Sequence, residues 1–260
     1  MANFKDKYGP WAIVTGASSG LGKDFAYQLA EKGLNVVLAA RREDRLKALA
    51  AELESRYSVE AQVAVVDLSK EDFLPAMLKV TDDLDIGLLI NNAGFANSGE
   101  FLDNDLESEL RLLHVNCRAP LLLTHEYGNQ LKKRKKSGII FVSSVAGFSG
   151  IPLWTNYAAS KGYDMLFAEG LGAELKKSGI DVLALCPGST RTEFHDVADI
   201  NPMMAMDSKD VVKIGLSKLG KKNVVVAGLM NKFNANSTRF LPRFMNVKTF
   251  GLFIGQMQKH

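Results

Sequence analysis

Cysteine is nearly absent. Two thiols in 260 residues, Cys117 and Cys186, exclude a disulfide framework and fit a reducing, cytoplasmic setting. No apolar run approaches the ~18–20 residues of a membrane span. The N-terminus, MANFKDKYGPWAIVTG, has no apolar core followed by a small-residue cleavage site, so no secretory leader is expected. Charge of one sign is missing too. Against 32 Lys+Arg stand 29 Asp+Glu, and a net +3 gives no case for nucleic acid as a partner. The four histidines, His114, His125, His195 and His260, show no metal-ligand spacing, so no metal site is expected. Repeats, low-complexity segments and Pro/Gly/Ser-rich linkers are also lacking, so the chain reads as one domain over 1–260. The basic run 132–136 ends a long helix, where cations complement the negative pole, and reads as a solvated end.

What is present is alternation. Short apolar runs at 11–16, 35–40, 61–69, 86–94, 137–144, 180–188 and 223–228 read as about seven strands. They are continuous rather than alternating runs, as strands buried on both faces are. Amphipathic stretches lie between them. Helices are predicted over 20–32, stopped by Gly33, over 43–56, over 106–136 with Pro120 as a possible bend, and over 156–177. The order implies an α/β fold: one doubly wound, Rossmann-type parallel sheet with helices on both faces. Residues 193–206 and 229–260 do not fit the alternation and look like additions.

The turn Thr15-Gly16-Ala17-Ser18-Ser19-Gly20-Leu21-Gly22 sits between the first strand and the first helix. Glycine there lets backbone approach a diphosphate, and the helix N-terminus offers N–H groups and a positive dipole end. After the second strand comes Ala40, then Arg41 and Arg42. A carboxylate that would hold a ribose 2′-hydroxyl is missing, and two guanidiniums that suit a 2′-phosphate stand in its place. Tyr157 and Lys161 are four apart on a predicted helix and share a face. A free phenol has a pKa near ~10 and is a poor acid–base at neutral pH; a nearby ammonium together with an oxidised nicotinamide ring should lower it. Such a pair alone is a weak signal. Ser144, thirteen residues earlier at a strand end, strengthens it, because its hydroxyl can hydrogen-bond a substrate carbonyl. Ser143 is the neighbouring alternative.

The turn's pattern, TGxxxGxG, resembles that of the classical short-chain dehydrogenases/reductases. So do Asn91-Asn92-Ala93-Gly94 after the fourth strand, and Pro187-Gly188 followed by Thr190 and Thr192. Asn116, Ser144, Tyr157 and Lys161 fall where that family has its catalytic tetrad. The resemblance implies NADP(H) as cofactor, held by Gly16, Ser18, Ser19, Gly20, Leu21, Gly22, Arg41, Arg42, Asp67, Leu68, Asn92, Ala93, Gly94, Tyr157, Lys161, Pro187, Gly188, Thr190 and Thr192. It implies Arg41 as the main phosphate contact, Asp67 at the adenine, and a Thr after Pro187-Gly188 at the nicotinamide carboxamide. It gives Asn116 a backbone and water link to Lys161. Read on residues alone, Asp67 is as readily a helix N-cap, and a mid-helix Asn a local defect.

Within that family, residues 7–16, 84–92 and Pro152-Leu153 resemble the 17β-hydroxysteroid and very-long-chain 3-oxoacyl reductase branch, in a soluble bacterial form. This implies an NADPH-dependent oxidoreductase acting on a lipophilic ketone or the matching secondary alcohol, such as a 3-oxoacyl or steroid-like compound. A non-catalytic NADP(H)-binding sensor is the alternative. Phe194, Val197, Ile200, Met203, Met204 and Met206 lie where the family has its substrate lid. Residues 239–245 and 252–254 form an apolar tail that could cover the pocket, make an interface or, less favoured, touch a membrane surface. The family habit implies a homodimer or homotetramer built on helices 106–136 and 156–177.

Overall fold

The computed structural model describes residues 3–194, 205–238, 240 and 242–257. A short helix α1 (Phe4–Tyr8) precedes a strictly alternating series: β1 (Trp11–Thr15), α2 (Gly20–Glu31), β2 (Asn35–Ala40), α3 (Glu43–Tyr57), β3 (Ala61–Val65), α4 (Phe73–Thr81) and β4 (Ile86–Asn91). Then come α5 (Leu106–Leu113), a π-helical turn (His114–Arg118), α6 (Ala119–Lys132), β5 (Ser137–Val142), α7 (Thr155–Leu175), β6 (Ile180–Cys186), α8 (Ser208–Lys218) and β7 (Val224–Val226). Two helices end the chain, α9 (Leu229–Ser237) and α10 (Arg243–Met257).

The seven strands form one parallel sheet in the order β3-β2-β1-β4-β5-β6-β7. Strands β1, β4 and β5 are buried at every position, which explains their unbroken apolar runs. Strand β3 departs from that expectation. It lies at the sheet edge, and Val65 is 46% exposed. Each face of the sheet carries its own core. Phe25, Leu29, Leu46, Leu53 and Val212 from α2, α3 and α8 pack on one side. Met77, Leu123, Tyr127, Leu131 and Ala168 from α4, α6 and α7 pack on the other.

Strand order reverses between β1 and β4, and in such sheets the crevice beyond the strand ends at this point is where ligands bind. Thr15 locks that point. Its Oγ1 donates to the Ile90 carbonyl and accepts from the backbone N–H groups of Asn92 and Ala93 at 2.9 and 3.0 Å. The predicted strands overran their C-terminal ends: 61–69 stops at 65, 86–94 at 91, 137–144 at 142 and 180–188 at 186. In each case the residues beyond the ladder turn aside to line the crevice.

The expected helix 106–136 is three pieces. Pro120 lacks an N–H and cannot donate to the Asn116 carbonyl four residues back, and the chain takes a π turn over His114–Arg118 just before it. The basic run after α6 belongs partly to the fold: Arg134 binds Asp85 and the Gly9 carbonyl, and Lys136 reaches Asp181 at 2.7 Å. No helix among the described residues is long and apolar enough to cross a membrane.

Candidate active site

The turn after β1 is built by glycine. Gly16 and Gly20 both have positive φ (67° and 53°). A methyl group on Gly22 would stand 2.2 Å from the Gly16 carbonyl oxygen and 2.6 Å from Asn92 Nδ2. Neither can retreat, since Asn92 Nδ2 donates to the Thr15 carbonyl at 2.7 Å. Gly22→Ala is therefore expected to cost at least about 2 kcal/mol of stability in denaturant unfolding, by overpacking against backbone. No side chain caps α2, so its first-turn N–H groups are left for a ligand, and Gly20 and Leu21 line the cavity there.

One cavity of about 470 Å³ runs along the strand ends from this turn. At one end lie Ser18, Ser19, Arg41, Arg42, Asp67 and Leu68. Arg42 donates to Ser18 Oγ (3.1 and 2.9 Å) and Ser19 Oγ (2.7 Å), and its Nη1 pairs with Glu193 at 2.8 Å. Arg45 holds the other Glu193 oxygen at 2.6 Å. These two arginines pull the Glu193 carboxyl down to about 2. Glu193 was absent from the sequence-based site and is visible only in three dimensions. Asp67 is not an N-cap. Its Oδ1 accepts from the backbone N–H and hydroxyl of Ser69 at 3.0 and 2.8 Å, in a local turn. Burial opposes its charge, but Ser69 and the Arg41 charge outweigh that and hold the carboxyl below its ordinary range.

Midway, Ser144, Tyr157, Lys161 and Gly94 meet. Ser143 is set apart, since its hydroxyl donates to the Lys161 carbonyl at 2.7 Å inside the core. The Ser144 hydroxyl accepts from the Ala146 N–H at 3.1 Å and lies in hydrogen-bond contact with the Tyr157 phenol. Tyr157 is 6% exposed. Burial raises its pKa above the ordinary phenol value; the Lys161 charge and Ser144 pull the other way and do not reverse it. The ammonium by itself therefore does not lower the value, because desolvation of the phenolate outweighs it. Lys161 donates to the Val142 carbonyl at 2.8 Å and to Asp164 Oδ2 at 3.0 Å. Asp164 is a second residue that sequence reading missed. Asn116 sits fully buried in the π turn, with Oδ1 accepting from Phe95 N–H and Nδ2 donating to the Phe95 carbonyl and Ser160 Oγ. Gly94 separates it from Lys161: a methyl there would meet Asn116 Oδ1 at 3.1 Å and Lys161 Nζ at 3.3 Å.

The other end is apolar. Ile151, Trp154 and Tyr157 form a small cluster with Phe95, Phe194 and Phe250, and Trp154 meets the Tyr157 ring edge-on. Arg111, over the Phe95 ring at 5.7 Å, stands at this end. Pro187 and Gly188 close the floor. The Pro187 carbonyl accepts from Val145 N–H, and a methyl on Gly188 would strike Asn231 of α9 at 2.4 Å. Thr190 Oγ1 donates to the Gly188 carbonyl, and Thr192 leans on Gly20. Of the expected lid, Phe194 and Met206 are described; Val197, Ile200, Met203 and Met204 lie outside the described residues, as do His195, His260, Arg239 and Leu241. Among the described residues no cluster of His, Cys, Asp and Glu is placed to hold a metal.

A family model for short chain dehydrogenases matches residues 10–201. The chain belongs to the short-chain dehydrogenase family. Among its relatives is the 7beta-hydroxysteroid dehydrogenase of Clostridium sardiniense, 34% identical over 234 residues that cover 88% of this chain and 90% of that one. The very-long-chain 3-oxoacyl-CoA reductase of Neurospora crassa is 36% identical over 219 residues, 82% of this chain and 66% of that longer protein. A short-chain dehydrogenase from Sphingobium yanoikuyae, solved in complex with NADPH, superposes with a TM-score of 0.81 at 32% identity, covering 89% of this chain and 94% of that one. As a short-chain dehydrogenase the chain is an oxidoreductase by family, and the residues around its cavity suit a nicotinamide dinucleotide. Uncapped helix N–H groups would suit a diphosphate, glycines would leave it room, and a long cavity joins a cationic end to an aromatic one.

Proposed function

We propose that the protein is an NADPH-dependent ketone reductase for a lipophilic substrate, with Tyr157 as proton donor. The observation that carries this reading is the position of the Ser144–Tyr157–Lys161 set. It stands at the seam between the cationic and the aromatic halves of one cavity. When bound, the nicotinamide cofactor supplies a hydride to the carbonyl carbon. The chain's own residues do the rest. Ser144 hydrogen-bonds the carbonyl oxygen, Tyr157 protonates it, and Lys161 holds charge beside the phenol. Phe95, Ile151, Trp154, Phe194 and Phe250 fit an apolar ring or chain, in keeping with the steroid and 3-oxoacyl chemistry named for the two relatives. Loss of NADPH absorbance with a panel of 3-oxoacyl thioesters, steroid ketones and small polar ketones tests this. Turnover of the lipophilic members is expected. NADPH binding without turnover of any would favour the sensor reading.

Arg41 and Arg42 support the preference for NADPH over NADH. Glu193 already occupies part of Arg42, so a 2′-phosphate has to displace or face a carboxylate there. Glu193→Gln is expected to tighten NADPH binding by about twofold to fivefold, the range of an exposed ion pair, and to leave NADH unchanged. Equilibrium titration of both cofactors by fluorescence checks it. For assembly we favour a homo-oligomer. Leu121 and Leu166 on α6 and α7, and Leu229, Phe233 and Phe244 in the C-terminal extension, present exposed apolar surface that a second copy would cover.

A further inference from the structure

Asp164 is the most unusual group near the site. It lies one turn beyond Lys161 on α7, on the same face, and is 3% exposed. Oδ2 accepts from the Lys161 ammonium at 3.0 Å. Oδ1 is buried with no hydrogen-bond partner. A buried carboxylate with an orphaned oxygen is costly, and a fold retains it only against a strong compensating charge. That charge is Lys161, itself 5% exposed, whose other acceptor among the described residues is the Val142 carbonyl. Among the described residues no other anion pairs with Lys161.

The remaining groups around this pair carry no charge that would replace either member. From the π turn comes Cys117, whose thiol burial pushes up to about 12, and from β6 comes Cys186, raised likewise to about 12. Both stay protonated through the working range. From α7 itself come Tyr157, Tyr163 and Ser160; Asn116 faces in from the π turn, Ser143 from beyond β5, and Glu169 acts on Cys186 from the next turn of α7. Burial alone would lower the Lys161 ammonium; Asp164 and Tyr157 reverse this and hold it charged. Burial raises the Asp164 carboxyl, against the pull of Lys161.

We propose that Asp164 is a positioning residue: a buried counter-charge that fixes the Lys161 ammonium and sets the pH at which Tyr157 releases its proton. An ammonium paired to a carboxylate acts on the phenol as a dipole, not as a full positive charge. The carboxylate thereby keeps Tyr157 in its acid form at neutral pH and biases the site towards reduction. The inference rests on the reading of Tyr157 as proton donor.

Removing the negative charge has a definite sign. In Asp164→Asn the cluster of Tyr157 and Lys161 carries a net positive charge until one proton leaves. With the ammonium no longer neutralised by a carboxylate, the Tyr157 phenol loses its proton at lower pH than in the wild type. The alcohol-oxidation limb of the pH–rate profile, which needs the phenolate, is expected to move down by about one pH unit or more. The tyrosinate ultraviolet difference spectrum, with Tyr157→Phe as the blank, should report the same displacement without relying on turnover. A shape role alone would lower activity at all pH values and move neither curve. Coincident curves for wild type and Asp164→Asn would overturn the proposal. Asp164→Glu, which restores the charge, should return the profile towards wild type, and failure to do so in a folded variant would count against it. If instead Tyr157→Phe turned over normally, the proton-donor reading would fail, and that outcome is distinct from either of these.

Discussion

Tyr157→Phe is expected to lower kcat for ketone reduction by about three orders of magnitude, within the range that a positioned general acid supplies. The variant keeps the ring that packs edge-on against Trp154 at 5.2 Å between centroids and tilted against Phe194 at 5.6 Å. Only the hydroxyl beside Ser144 is lost. Cofactor affinity, titrated by fluorescence, should stay within about twofold, because Lys161 keeps its bonds to Val142 and Asp164. The pH dependence has the matching sign. Burial raises the Tyr157 phenol above its ordinary value, so the acid form persists through neutrality. Reduction should therefore be flat across neutral pH and fall only at high pH, while alcohol oxidation should rise with pH. Wild-type turnover by the Phe variant would remove Tyr157 from the reaction.

Arg41→Ala should act on the other end of the cavity. Its guanidinium lies beside Asp67 and is less committed than that of Arg42, which is already bonded to Ser18, Ser19 and Glu193. A charge-assisted hydrogen bond to a phosphate contributes about 1.5–3 kcal/mol. The expected result is a fall of about tenfold to a hundredfold in kcat/KM with NADPH and little change with NADH. Steady-state rates with both cofactors check it. Equal use of the two by the wild type would sink the preference at once.

The sheet was legible because its chemistry is local. A strand buried on both faces must be apolar throughout, and WAIVT, NVVLAA and IGLLIN are so. The glycine turn was legible because backbone crowding at Gly16 and Gly22 leaves no other residue. Helices α4 and α8 were not predicted, although α4 is mostly apolar and Asp207 caps α8; both are short, at nine and eleven residues. Spacing to Tyr157 favours Ser144 over Ser143, and the structure adds the physical ground for that choice. Their division comes from which hydroxyl the Lys161 carbonyl faces, a contact eighteen residues away along the chain. Glu193 was illegible for the same reason, since its partners Arg42 and Arg45 are 151 and 148 residues away; Asp164 stands one helical turn from Lys161, and what the sequence did not reveal is its burial. An acidic residue on a helix or loop reads as solvated until the fold buries it or places its partner beside it.

The π turn at His114–Arg118 has a geometric consequence for the site. In an unbroken α-helix, the eleven steps from Leu112 to Leu123 accumulate a phase of about 20°, so both side chains would look the same way. The wider turn withdraws roughly a quarter revolution between them. Leu112 then faces the aromatic cluster around Tyr157, while Leu123 faces the sheet. A single helical rod thus serves two interiors with different orientations, and Asn116 stands at the dislocation where one phase gives way to the other.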